Sequence, residues 1–249
     1  MSAEEVALHK ELIRCMRTRE GKSHHLAVLQ DFSRLYQHPF LLKTDAEEAS
    51  ASALVAGSSK LQAVINILHQ VRAQREKAII FTRHRAMQSI LAKALQAEFD
   101  IPIRIINGLT QRATVSTSLR PASNRKAILE EFRAWHGFSV LILSPHVAGV
   151  GLTITEANHV IHYGRWWNPA VESQATDRVY RILQAKEVFV YLPILKDPSG
   201  AVPSTFDERL DVLMEKKYRV AEDFLKPLDS EDELGEHLYR ELQSERDLG

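Results

Sequence analysis

The sequence predicts an α/β fold. A parallel sheet carries helices on both faces, with a helical segment before it and further helices after it. Two kinds of observation carry that prediction. Short apolar runs end in glycine-bearing or polar loops, as in Val140-Leu141-Ile142-Leu143 before Ser144 and Ala148-Gly149-Val150-Gly151. Such runs read as buried strands of a parallel sheet. Between them lie segments whose apolar residues repeat at helical spacing, the signature of crossover helices.

In chain order, Glu4–Arg19 reads as a helix with Val6, Leu8, Leu12, Ile13 and Met16 as its apolar positions, and Gly21 breaks it. His24–Tyr36 reads as a second helix. His24, His25 and His38 have no regular metal-ligand spacing, and no metal site is expected. Residues 1–44 therefore form a helical segment. Residues 45–59, rich in Ala, Ser and Glu, read as a linker. Ser59 is placed as N-cap of a helix over Lys60–Gln74, whose Leu61, Val64, Ile65 and Leu68 repeat at helical spacing.

The sheet domain is expected over 60–196. Ala78–Thr82 is its first strand and Arg83 opens the next loop. His84–Phe99 is the crossover helix, Ile103–Ile106 a strand, and Asn107-Gly108-Leu109-Thr110 a turn. The polar stretch 111–123 reads as a surface loop, either solvated or touching nucleic acid through Arg112 and Arg120. Arg125–Phe132 is the next helix, and Val140–Leu143 and His159–Ile161 are strands. Arg165-Trp166-Trp167-Asn168-Pro169 leads into a helix that carries Gln174, Arg178 and Arg181 at i, i+4, i+7. Val171, Ala175, Val179 and Ile182 lie on a neighbouring face. Two guanidinium forks held together suit phosphate oxygens, although ion pairs with Glu172 or Asp177 are the ordinary alternative. Glu187–Ile194 is a final strand. A bracing helix falls within 197–228, with Phe206, Leu210, Leu213 and Met214 on one face. Residues 229–249 form an acidic tail.

Composition narrows the class. Of 249 residues, 45% are hydrophobic and 26% charged, enough for a buried core. The single cysteine, Cys15, excludes an internal disulfide framework and fits a reducing cytoplasm. No apolar run nears the roughly 20 residues of a membrane span. Net charge is zero, but the tail holds 8 acidic and 2 basic residues, leaving +6 on the rest, which mildly favours a polyanion partner.

Ser144–Asn158 resembles motif V of the Swi/Snf-type ATPase motors in superfamily 2 (S-x-K-A-G-G-x-G-L-N-L-T-x-A-N). Arg165–Pro169 resembles the adjoining R-x-W-N-P element. Gln174–Ile182, Q-A-T-D-R-V-Y-R-I, resembles motif VI (Q-A-x-D-R-x-x-R-I-G-Q). Weaker likenesses run through the chain. Leu26–Pro39 resembles the segment that ends in C-N-H-P, Ser58-Ser59-Lys60-Leu61 the S-G-K-L entry, Ala78–Arg83 motif IV, and Asn107–Thr110 the D-G-x-T turn. The Arg165–Ala170 wording is closer to prokaryotic members.

This resemblance implies a RecA-like second lobe that works with an N-terminal RecA-like lobe on double-stranded DNA. It also implies ATP with Mg²⁺ in the cleft between the lobes, held mainly by the first. Arg178 and Arg181 would be arginine fingers and Gln174 would orient the helix or the attacking water. Gly149 and Gly151 would let backbone approach the nucleotide. Thr82, Arg83, Thr110, Ser144 and Trp166 would contact DNA. Departures from the family pattern stand at Gly164, His146, Thr153 and Leu183. No G-x-x-x-x-G-K-[ST] loop and no D-E-x-H motif occur in the sequence, so the chain by itself is expected not to hydrolyse ATP. The alternative is a non-catalytic module that keeps the lobe fold for docking DNA or protein. A DNA-associated protein of the bacterial cytoplasm is the expected setting.

Overall fold

The computed structural model describes residues 1–18, 22–43, 48–110, 125–145, 153–181 and 184–223. The loop 111–123, the tail 229–249 and the break at Gly21 lie outside them. The chain divides into two compact units, each assembled from separate stretches. The first gathers 1–62, 164–169 and 193–249; the second is 63–163 with 170–192.

The second unit holds a five-stranded, all-parallel sheet in the order β2-β3-β1-β4-β5. Its strands are β1 (Lys77–Phe81), β2 (Arg104–Ile106), β3 (Ser139–Leu143), β4 (His159–His162) and β5 (Phe189–Tyr191). β1 and β3 are buried along their whole length, as continuous apolar runs require when both faces are covered. The predicted last strand shrinks to three residues at the sheet edge, with Phe189 and Val190 exposed.

Strand order decides which face each helix covers. α5 (Arg85–Phe99) carries the chain from β1 outward to β2, and α6 (Arg125–Ala134) brings it back from β2 to β3. Right-handed crossovers in opposite directions put these helices on opposite faces. On one face, Ile128, Leu129 and Phe132 of α6 pack with Ile79, Phe81, Leu141, Leu143 and Val160. Ala175 of α7 (Pro169–Thr176) and Val179 join the same cluster. Ala78, Ile80, Val140 and Ile142 alternate to the other face and are equally buried.

The amino ends of β1 and β4 carry a polar cluster with no precedent in the sequence reading. Glu76 accepts hydrogen bonds from Asn158 Nδ2 (2.7 Å) and Lys186 Nζ (2.8 Å) and lies 2.6 Å from His159 Nε2. Burial pushes the Glu76 carboxyl up, but the bonds from Lys186, Asn158 and His159 outweigh it and bring the pKa from 4.5 to about 2. The folded-state value lies below the unfolded one. The stability it contributes is therefore complete above pH 4.5 and disappears as pH falls through about 2. Urea unfolding should lose roughly 2 kcal/mol on this account between pH 6 and pH 3, and Glu76→Gln should remove that part of the slope.

The first unit is helical. α1 (Ala3–Thr18) and α2 (Lys22–Gln37) match the two predicted helices to within a residue or two. They share a core with α8 (Phe206–Asp223): Phe32, Leu35 and Tyr36 meet Phe206, Leu210 and Met214. The rings of Phe32 and Phe206 stack with centroids 5.8 Å apart. Reciprocal capping boxes start two of these helices. Ser2 Oγ accepts from Glu5 N while Ser2 N donates to Glu5 Oε2, and Thr205 pairs with Glu208 in the same way.

Three sequence expectations are corrected here. The 45–59 stretch is not wholly linker: Ser50 caps a short helix, α3 (Ala51–Ala56), which buries Leu54. Ser58, not Ser59, caps α4 (Ser59–Ala73), its Oγ accepting from Leu61 N at 3.2 Å. Ser59 instead donates from both N and Oγ to the Glu5 carboxylate. Finally, the helix carrying Gln174 stops at Thr176, so Arg178 and Arg181 do not lie on it.

Candidate functional site

At the carboxyl edge of the sheet, three adjacent strands deliver three of the predicted residues together. Thr82 follows β1, Ser144 follows β3, and Thr110 closes the turn after β2. The ladder continues past the strand ends: Thr82 N donates to Leu143 O (3.1 Å) and Ser144 N to Ile106 O (2.9 Å). All three residues are buried, whereas Arg83 beside Thr82 is exposed. Thr110 Oγ1 accepts from Asn107 N (3.0 Å), and Asn107 Oδ1 from Leu109 N (2.9 Å), which folds the turn tightly. Arg125 Nε donates to Thr110 O at 3.0 Å and anchors the turn to the start of α6.

Gln174, Arg178 and Arg181 form a second group. Gln174 is exposed on α7. Beyond Thr176 the turn is mixed: Arg178 N donates to Ala175 O and Val179 N to Thr176 O, both one residue short of the α-helical reach, while Tyr180 N shares the Thr176 carbonyl at the full reach. The Arg178 carbonyl accepts from Ile154 N at 2.9 Å, so the loop before β4 takes the acceptor that another helical turn would need. That loop is itself braced. Arg133 Nη2 donates to Thr153 O (2.8 Å) and pairs with Glu156, and Gln184 Nε2 donates to Thr155 O and Ala157 O.

Arg178 is half-buried, and its Nε has no hydrogen-bond partner among the described residues. Arg181 is exposed. A buried guanidinium nitrogen without an acceptor is costly unless something supplies one. These residues suit a phosphate group, whose oxygens accept from the guanidinium fork. Gly149 and Gly151 lie outside the described residues. Among the described residues no group of three His, Cys, Asp or Glu is placed to hold a metal ion. No helix among them is long and apolar enough to cross a membrane.

Trp166 belongs to the first unit and is only 7% exposed. Trp167 packs edge-on against Phe206. Arg165 pairs with Asp211 and, at 3.5 Å, with Glu215 of α8, while Tyr218 Oη donates to Pro169 O. The R-W-W-N-P segment is thus anchored to α8. Gly164, where the family often has a polar residue, has the Gln37 side-chain amide where a Cβ would sit. The obstacle is the far end of a flexible chain. Gly164→Ala should therefore cost less than about 1 kcal/mol in urea unfolding, once Gln37 swings aside.

Sequence reading missed the polar residues that hold these groups in place: Gln88, Asn107, Arg125, Arg133 and Gln184. One of them did leave a trace. Gln88 falls in line with Leu91 and Leu95 of α5, a polar side chain in an apolar stripe. His38 illustrates the opposite case. Its Nδ1 accepts from Phe40 N and its Nε2 lies 2.9 Å from Leu54 O, so both nitrogens serve the fold. Burial lowers its pKa.

A family model described as the helicase conserved C-terminal domain matches residues 59–183. The Zorya protein ZorD of Escherichia coli is 41% identical over 169 residues, which is 68% of this chain and 15% of that protein. The putative ATP-dependent helicase/translocase YwqA of Bacillus subtilis is 34% identical over 224 residues, 87% of this chain and 22% of that protein. The chain thus spans less than a quarter of either relative. Among solved structures, the Sulfolobus solfataricus SWI2/SNF2 ATPase core in complex with dsDNA superposes with a TM-score of 0.72 at 26% identity. It covers 98% of this chain and 47% of that one. The isolated C-terminal domain of a Sulfolobus solfataricus SWI2/SNF2 ATPase shares the fold, with a TM-score of 0.68 over 98% of this chain and 92% of that one.

Proposed function

The chain belongs to the helicase conserved C-terminal domain family, of Swi2/Snf2 type, and from that premise we propose that it is the second lobe of an ATP-dependent motor on double-stranded DNA. A first RecA-like lobe, in the same protein or a partner, holds ATP and Mg²⁺. When bound, ATP with Mg²⁺ supplies the phosphoryl group and the cation that neutralises it. This chain supplies Arg178 and Arg181 against the phosphate oxygens, with Gln174 orienting that segment or the attacking water. A pre-positioned guanidinium stabilises charge without having to reorganise during the reaction.

The observation that carries this reading is the half-buried Arg178, whose Nε has no acceptor among the described residues while Arg181 nearby is exposed. A phosphate oxygen is one acceptor that would satisfy that nitrogen. The carboxyl-edge group gives the lobe its DNA face. Exposed Arg83, with Thr82, Thr110 and Ser144 beneath, meets backbone phosphates, which positions a motor without reading sequence. Trp166 is too buried for the reading to rest on it.

The test is steady-state ATP hydrolysis with and without duplex DNA, on this chain alone and with a first lobe added. The expected result is silence alone and DNA-stimulated turnover in combination. Turnover by this chain alone would refute the proposed division of labour. DNA binding with silence in every combination would make it a docking module.

A further inference from the structure

Two loops that the proposed DNA face needs are separated by the whole of α5, yet one buried amide joins them. Gln88 is 1% exposed. Its Nε2 donates to Thr82 O at 2.9 Å, and its Oε1 accepts from Asn107 Nδ2 at 2.9 Å. Asn107 passes the connection on, with Oδ1 accepting from Leu109 N and its backbone N–H donating to Thr110 Oγ1. The chain therefore runs from the Thr82-Arg83 loop through Gln88 and Asn107 to the Leu109-Thr110 turn.

The direction of this relay is set at both ends by backbone groups that cannot be reversed. Thr82 C=O can only accept, so Gln88 must present its NH₂ there and its carbonyl to Asn107. Leu109 N–H can only donate, so Asn107 must turn its carbonyl that way and its NH₂ to Gln88. Each amide orientation fixes the other. A glutamate at 88 would lack the donor for Thr82, and an aspartate at 107 the donor for Gln88. An apolar residue would fill the α5 stripe equally well, so packing alone does not call for glutamine here.

We propose that Gln88 is a positioning residue for DNA: through Asn107 it locks the loops after β1 and β2 into one phosphate-contacting surface. The inference rests on the DNA reading above and adds to it a residue that touches no DNA.

The experiment measures binding of this chain to a fluorescent random-sequence duplex over a salt series, for wild type, Gln88→Leu, Arg83→Ala and the double variant. Leucine keeps the volume and removes both hydrogen bonds. Arg83→Ala should weaken binding and flatten the salt dependence by about one phosphate contact. Gln88→Leu should weaken binding roughly five- to tenfold and flatten the same slope. In the Arg83→Ala background its further effect should be clearly smaller, because the part that acts through the Thr82-Arg83 loop is already lost and only the part through the Leu109-Thr110 turn remains. A purely structural loss would be the same in both backgrounds, and that result overturns the inference. So does a Gln88→Leu affinity equal to wild type while Arg83→Ala is weak. If wild type fails to bind duplex at low salt, the DNA reading itself falls and this inference with it. Should Gln88→Leu fold poorly, Asn107→Ala cuts the same relay from a half-buried position and carries the same outcomes.

Discussion

Arg178→Ala should remove about 10³-fold or more of the DNA-stimulated ATP hydrolysis of a motor containing both lobes, while leaving this chain folded. The direction follows from what the guanidinium does and does not hold. Its Nε bonds to no described residue, so truncation breaks no side-chain hydrogen bond made by that nitrogen. The bond that organises the segment, from Ile154 N to the Arg178 carbonyl, belongs to the backbone and survives. The melting temperature should stay within about 2 °C of wild type. Arg178→Lys should recover little, because a point ammonium cannot reproduce two parallel donors. Arg181→Ala should also lower turnover. The discriminating measurement is kcat at saturating duplex. A fall in DNA affinity with kcat intact would remove Arg178 from the nucleotide side and join it to the DNA face.

The largest effect on stability should come from Asp207. Its carboxylate and the Lys60 ammonium form a contact ion pair with both side chains almost wholly buried, and Oδ2 also accepts from Leu195 N at 2.9 Å. Asp207→Ala takes the carboxylate away from a buried cation and a buried amide together. The cost should be roughly 3–5 kcal/mol. That is a large share of the roughly 5–15 kcal/mol that holds an ordinary domain together. The double variant Lys60→Met/Asp207→Leu should regain most of the loss, since replacing both charges with apolar groups avoids the desolvation penalty. Chemical denaturation of the three proteins checks this. Single and double variants falling equally would mean that the pair is not what the unit depends on. The pair also gives a physical reason for the lysine in Ser58-Ser59-Lys60-Leu61, which sequence likeness alone could quote but not explain.

The parts of this fold that could be read from sequence are those whose cause is local. Ala78–Phe81 and Val140–Leu143 are uninterrupted apolar runs because both faces of the central sheet are covered, and they appear where expected. The finger segment shows the limit. Ala175 and Val179 do keep helical spacing and do share one core cluster. The period therefore looks unbroken through Arg178. Yet the helix gives way after Thr176 to a mixed turn, and the Arg178 carbonyl goes to Ile154, more than twenty residues earlier, a bond that no periodicity records. Ser58 and Ser59 are equally good caps by type. Glu5, far back in α1, occupies Ser59 and leaves the capping to Ser58. The Glu76 cluster draws its members from Asn158, His159 and Lys186, which have nothing in common before the strands align. Long-range polar partnerships of this kind decide where the site residues sit, while hydrophobic pattern decides only that a sheet exists.

The first unit, stitched together from both halves of the chain, sets a timetable for synthesis. Phe32, Leu35 and Tyr36 leave the ribosome about 170 residues ahead of the Phe206, Leu210 and Met214 that cover them. At ordinary translation speeds that is a wait of roughly ten to thirty seconds. The sheet unit, apart from its last segment, can be completed in that interval. The nascent α1–α2 hairpin meanwhile carries an apolar face that α8 has yet to cover, a natural target for a chaperone. Interruption of synthesis before α8 would leave that face permanently open, and the truncated product would be prone to aggregate even with its sheet intact.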